Sequence, residues 1–149
     1  MADYYSEASF IALSNLTPVE VEWLVGEFSV DPEDLADEEQ EVWAAARGLE
    51  TPCHWGFAHK IVDTVDTTGA IKSLWIYSDC CFDPANVAGF LHHMLTTLRP
   101  EFTIGFEWSN SCSKARIDAF GGGAAVVTKE GVEWCNTNEW LSMKMEISG

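Results

Sequence analysis

The chain reads as a single α+β domain, residues 1–149, with helices packed on one face of a mostly antiparallel sheet in the order β-α-α-β-β-α-β-β-β-α. Three observations predict this. Phe102, Ile104, Phe106 and Trp108 alternate with Thr103, Gly105, Glu107 and Ser109, the period-two pattern of a strand with one buried face. Val87, Phe90, Leu91, Met94, Leu95 and Leu98 instead recur at helical spacing, an apolar stripe that needs a sheet or another helix to cover it. At 149 residues with 47% hydrophobic and 21% charged residues, the chain has the composition of a packed domain, and a domain of this length buries roughly 68–70% of the surface its unfolded chain exposes.

Taken in order, residues 1–8 read as a loose, flexible terminus, and Ser9 to Leu13 as a short buried strand bounded by Ser14-Asn15. Thr17-Pro18 followed by Glu20 matches an N-cap, an N1 proline and a capping-box acid, which predicts a helix to about Glu27. Its inward face is Val21, Leu24, Val25 and Phe28; Glu20 and Glu27 face outward. A second helix runs from about Glu38 to Arg47 and stops at Gly48. Trp55 to Val62 and Ile71 to Tyr77 form a hairpin, with Asp66 to Gly69 as its turn.

Asp83-Pro84 starts the best-patterned helix, which ends at Arg99-Pro100. After the strand from Phe102, a polar segment crosses from Asn110 to Asp118, Gly121-Gly122-Gly123 follows Phe120, and Ala124 to Thr128 resumes as a strand. Lys129-Glu130-Gly131 turns the chain into a last strand, Val132 to Cys135. Asn138 caps a short helix from Glu139 to about Lys144, whose Trp140 and Leu141 are available to pack on the sheet. Of the tryptophans Trp23, Trp43, Trp55, Trp75, Trp108, Trp134 and Trp140, most are expected in the core.

Charge is the property furthest from ordinary. The formal net charge is −16, and residues 1–50 hold 13 acids against one base, Arg47, or −12. The other 99 residues carry 11 acids and 7 bases, or −4. A field of this sign repels phosphates and attracts basic surfaces, which argues against direct binding of DNA or RNA and for a basic protein partner. Asp31, Glu33, Asp34, Asp37, Glu38, Glu39 and Glu41 are the candidate partner-binding residues. Solvation of an exposed helix is the plainer explanation of the same cluster.

Signals for chemistry are weaker. The five cysteines, Cys53, Cys80, Cys81, Cys112 and Cys135, are odd in number and include no C-x-x-C pair, so reduced thiols in a cytoplasmic protein are the plain reading. No apolar run approaches membrane-spanning length, and the N-terminus lacks signal-peptide features. Cys53, His54, His59, His92, His93 and Cys112 supply metal-ligand atom types without diagnostic spacing. No metal or cofactor is expected. Cys112 with Lys114, Gly121 and Gly122 forms an alternative ligand or thiol-catalytic site, since a thiolate needs a nearby base or positive charge and bare glycine amides bind anions. The glycines lack the lysine and following helix of a phosphate loop, so close approach of a neighbouring strand is their simpler role. The balance favours a non-enzyme.

The segments Phe106-Glu107-Trp108, Cys112-Ser113-Lys114, Phe120-Gly121-Gly122-Gly123-Ala124, Gly131-Val132-Glu133-Trp134 and Trp140-Leu141 resemble small acidic proteins encoded by phages and other mobile elements. The likeness covers mainly the C-terminal third. It implies a setting and no reaction. Small acidic proteins from that setting include inhibitors of host restriction and CRISPR machinery, some of them imitating DNA charge. The expectation is therefore a non-enzymatic binding protein whose acidic N-terminal third docks on a nucleic-acid-binding enzyme. The alternative is a small ligand-binding or thiol-dependent domain built on the loop from Asn110 to Gly123.

Overall fold

The strand and helix patterns resolve into one six-stranded sheet backed by helices. The computed structural model describes residues 4–113 and 120–148. Along the chain lie β1 (Tyr4–Leu13), α1 (Pro18–Glu27), a 3-10 turn (Pro32–Asp34), α2 (Asp37–Arg47), β2 (Ala58–Asp66), β3 (Gly69–Ser78), α3 (Pro84–Leu98), β4 (Ile104–Cys112), β5 (Gly121–Thr128), β6 (Gly131–Asn136) and α4 (Thr137–Ser148). The sheet order is β2-β3-β1-β4-β5-β6, and all neighbours are antiparallel. The α+β class and the order of elements are as the patterns predict.

Because directly opposed residues share a face, the register assigns the two sides. Phe10 opposes Ile76, His59 opposes Ile76, Ile61 opposes Leu74, Ile104 opposes Val127 and Phe106 opposes Ala125. These side chains point at the helices. Phe10 and Phe106 stack across the β1–β4 pair at 5.3 Å. α3 supplies the centre of the core with Val87, Phe90, Leu91, Met94 and Leu95, all fully buried, each contributing about 1.5–3 kcal/mol if a large apolar side chain. The other face carries Ser9, Ile11, Trp75, Tyr77, Glu107, Val126 and Glu133. Glu107 and Glu133 do not meet, because β5 lies between them and their ladder rungs differ: Glu107 opposes Ala124, whereas Glu133 opposes Val126.

Several expectations are corrected. β1 begins inside the stretch expected to be loose, since Tyr4 to Glu7 pair with Cys112 to Ser109 of β4. In α1 the capping box forms, but Glu20 turns inward: it is 7% exposed and accepts bonds from Arg99 Nε and Nη2 at 2.7 Å each. Val25, expected inward, is exposed. β2 starts only at Ala58, leaving Trp55 to close the aromatic cluster from a loop. β4 runs on through Asn110 to Cys112, and the glycines lie within β5 instead of before it. Of the tryptophans, Trp23, Trp43, Trp55 and Trp108 pack against the core while half-buried, as expected of most of them, whereas Trp134 and Trp140 are exposed.

Candidate protein-docking surface

The acidic residues are mounted on a short, well-anchored unit. Asp31 Oδ1 accepts from Glu33 N at 3.0 Å and starts the 3-10 turn at buried Pro32. Gln40 of α2 donates to the Pro32 carbonyl at 2.7 Å, fastening the turn to the helix. At the far end of α2, Gly48 takes a left-handed φ of 76° and packs so closely on Gly89 of α3 that neither has room for a Cβ. Arg47, the one base of the first fifty residues, is consumed internally: it sits over the Trp43 ring at 4.7 Å and 2.6 Å from Glu27 Oε2.

Asp31, Glu33, Asp34, Asp37, Glu38, Glu39 and Glu41 are all exposed. Among the described residues, none of the seven has a basic partner within ion-pair distance. A structural role explains some of this charge. Ala36 provides no side-chain cap, so Asp37, Glu38 and Glu39 complement the positive end of α2 by about 0.3–1 kcal/mol each. It does not explain Glu41, which lies four residues from Asp37 and three from Glu38; like charges at those spacings cost a helix about 0.2–0.5 kcal/mol.

Sequence reasoning missed the apolar half of this surface. Leu35, Val42 and Trp43 line an open hollow of about 440 Å³ rimmed by Glu38 and Glu39. Val42 is 73% exposed. Trp43 is held from behind by Trp55, edge to face at 4.8 Å. The signal was present as Leu35, Glu38, Glu39, Val42 and Trp43 at spacings of three and four, which puts carboxylates and apolar groups on one helical face.

The alternative site is not assembled as expected. Cys112 ends β4 opposite Tyr4 and is half-buried, and Lys114 lies outside the described residues. The Gly122 amide donates to Thr137 Oγ1 at 3.0 Å, and that hydroxyl donates back to the Gly122 carbonyl at 2.9 Å, so Gly122 is engaged within the fold. Gly121 abuts Thr137 and Asn138. A Cβ on Gly122 would strike the Trp108 carbonyl, and one on Gly123 would lie 2.6 Å from the Trp108 ring. The glycines thus admit a tryptophan across the strand, in keeping with the close-approach reading.

The imidazoles and the Cys80–Cys81 pair have local partners, while Cys53 and Cys135 are free, exposed thiols. His92 Nε2 meets the Lys129 carbonyl at 3.1 Å, His93 meets Glu27 at 3.2 Å, and His59 stacks on Phe28 at 3.6 Å. Burial holds His59 down to about 4. The Cys81 thiol hydrogen-bonds Cys80 and pushes it up to about 11, away from the range of a reactive thiolate. Among the described residues no three His, Cys, Asp or Glu side chains converge as a metal site requires, and no helix is long and apolar enough to cross a membrane.

No protein-family model, curated protein or solved structure matches the chain.

Proposed function

We propose that the chain is a non-enzymatic binding module that docks on a basic protein surface through α2 and the 3-10 turn before it. The observation that carries this reading is the apolar hollow of Leu35, Val42 and Trp43 set among seven exposed carboxylates that have no basic partner among the described residues. The two halves divide the work. Exposed ion pairs are worth about 0–1 kcal/mol each and mainly steer the encounter and exclude wrong partners. Affinity comes from an apolar anchor buried at the centre of the contact, where tryptophan is favoured. The partner is a nucleic-acid-binding enzyme, whose basic channel presents cations to an acidic, DNA-like surface. The phage and mobile-element setting implied by the sequence resemblance supports an inhibitor of a host defence enzyme of that kind, acting in the cytoplasm.

The test is affinity capture of the tagged chain at low and high salt, with identification of what is retained, followed by assay of that enzyme. Asp34→Asn, Asp37→Asn, Glu38→Gln and Glu41→Gln combined should release the partner and restore its activity on nucleic acid while the fold is unchanged. Binding insensitive to both salt and neutralisation would refute the reading.

A further inference from the structure

The connection from β3 to α3 places two thiols side by side. Cys80 and Cys81 are both exposed, and the Cys81 thiol donates to the Cys80 sulfur at 2.6 Å. The short segment that carries them is fixed at both ends. Ser78 closes β3, Phe82 is 4% exposed and meets Phe106 edge to face at 5.9 Å, and Asp83 caps α3 by accepting from the Asn86 amide. The peptide group between the two cysteines is engaged on both sides. Its carbonyl, on Cys80, accepts from the Ser6 amide of β1 at 2.8 Å, and its amide, on Cys81, donates to Ser78 Oγ at 3.1 Å. The Phe82 amide returns a bond to the Ser6 carbonyl at 3.0 Å. Two sulfurs are thus held together at the surface, on a backbone clasped to β1.

We propose that Cys80 and Cys81 form a reversible redox site, closed to a vicinal disulfide by exchange with a low-molecular-weight disulfide. The hydrogen bond from Cys81 keeps Cys80 protonated, pushed up to about 11, so the Cys81 sulfur attacks first, as the thiolate, and displaces one thiolate from the small disulfide. That step removes the partner that held the Cys80 proton. Cys80 then gives up its proton, attacks the Cys81 sulfur of the mixed disulfide and expels the second small thiol. In total two protein thiols are oxidised to one disulfide, and one small disulfide is reduced to two thiols. Cα atoms of neighbouring residues lie about 3.8 Å apart, under the roughly 4.4–6.8 Å usual for a disulfide, so closure turns the intervening peptide and leaves a bond that is easily reduced. The pair rests as the dithiol in a reducing compartment and closes when small disulfides accumulate. Because the peptide that turns carries the Ser6 and Ser78 bonds, closure also loosens β1 at Ser6.

Equilibration of the chain in graded mixtures of oxidised and reduced glutathione, followed by acid quench, alkylation and mass spectrometry of the peptide holding both cysteines, tests this. The expected product is that peptide two hydrogens lighter and without alkyl groups, taking up two of them once dithiothreitol has reduced it. Cys80→Ser leaves Cys81 without a resolving thiol and should stop at the glutathione adduct. The side chain is exposed, so the variant keeps the fold, verified by unchanged far-ultraviolet circular dichroism. Amide hydrogen exchange at Ser6 should run several-fold faster in the oxidised wild-type chain than in the reduced one, with Leu91 of α3 unchanged. A pair that stays fully alkylated at every glutathione ratio would overturn the inference. So would adducts or disulfides to other cysteines in place of the closed ring, or a closed ring that leaves Ser6 exchange unaltered.

Discussion

Trp43 and Trp55 meet edge to face at 4.8 Å, and through that contact the exposed hollow on α2 is continuous with the aromatic centre of the fold, where Trp55 touches Phe28, Phe57 and Phe90. The anchor is therefore rigid before any partner arrives, which reduces the ordering cost of binding.

This contact separates two kinds of variant. Val42→Glu, at a 73% exposed position, should change stability by no more than about 0.5 kcal/mol yet abolish docking. Trp43→Ala should lose docking and also about 3 kcal/mol of stability. Trp43→Phe keeps an aromatic ring and removes a buried indole N–H that has no hydrogen-bond partner among the described residues, so it should stay within about 1 kcal/mol of wild type. Urea unfolding and titration with the captured partner measure the two effects.

Glu20 and Arg99 bind the start of α1 to the end of α3, with Arg99 also donating to the Ser14 and Asn15 carbonyls. The Arg99 hydrogen bonds hold Glu20 below its usual value of 4.5. A lowered carboxylate stabilises the fold above its unfolded value, and this is lost as pH falls through the folded one. Arg99→Gln should cost about 2–4 kcal/mol at neutral pH and flatten the stability curve below pH 4.5, as seen in urea midpoints across an acid series.

His59 acts in a higher pH window. Burial against Phe28 depresses it from 6.5 to about 4, so between these values the unfolded chain takes up a proton that the folded chain refuses. Stability should fall as pH drops from 6.5 toward 4, by about 1–3 kcal/mol in all after allowance for partial exposure. His59→Phe should remove that slope and leave the Glu20 slope in place, which thermal melts at closely spaced pH values would resolve.

Two helical glycines should respond to alanine with opposite signs. Nothing lies within 4 Å of a Cβ placed on Gly26, so Gly26→Ala should stabilise by about 0.5–1 kcal/mol through helix propensity. On Gly89 the added methyl would strike the Gly48 carbonyl, and Gly89→Ala should destabilise by about 1–3 kcal/mol despite the same propensity gain. Calorimetric melting temperatures that moved in the same direction would contradict the α2–α3 contact.

Much of this architecture was legible because it rests on local pattern: the capping box at Thr17 and Glu20, the α3 stripe and the alternation of β4 each fix an element within a few residues. The errors arose where a partner distant in sequence decides. Nothing near Glu20 announces Arg99, which satisfies the carboxylate 79 residues away. Tyr4 and Tyr5 suit a strand, but Ser6 and Glu7 interrupt any apolar pattern, and the strand there is set by its pairing with β4. Trp140 and Leu141 read as available to pack on the sheet, but both are about half exposed, at 52%. The acids of the docking surface were visible as a run, whereas Leu35, Val42 and Trp43 became a surface only when Trp55 packed behind α2.

β1 lies between the β2–β3 hairpin and the β4–β5–β6 meander and joins them into one sheet. It precedes the other strands in the chain yet pairs only with distant ones: Phe10 waits for Ile76, and Tyr4 for Cys112 at the end of β4. Until Cys112 has been made, β1 can pair with the β2–β3 hairpin alone and keeps its other edge unpaired. Such long closures slow folding and leave open edges exposed meanwhile. Like charge on the first fifty residues, −12 in all, makes such unfinished chains repel one another.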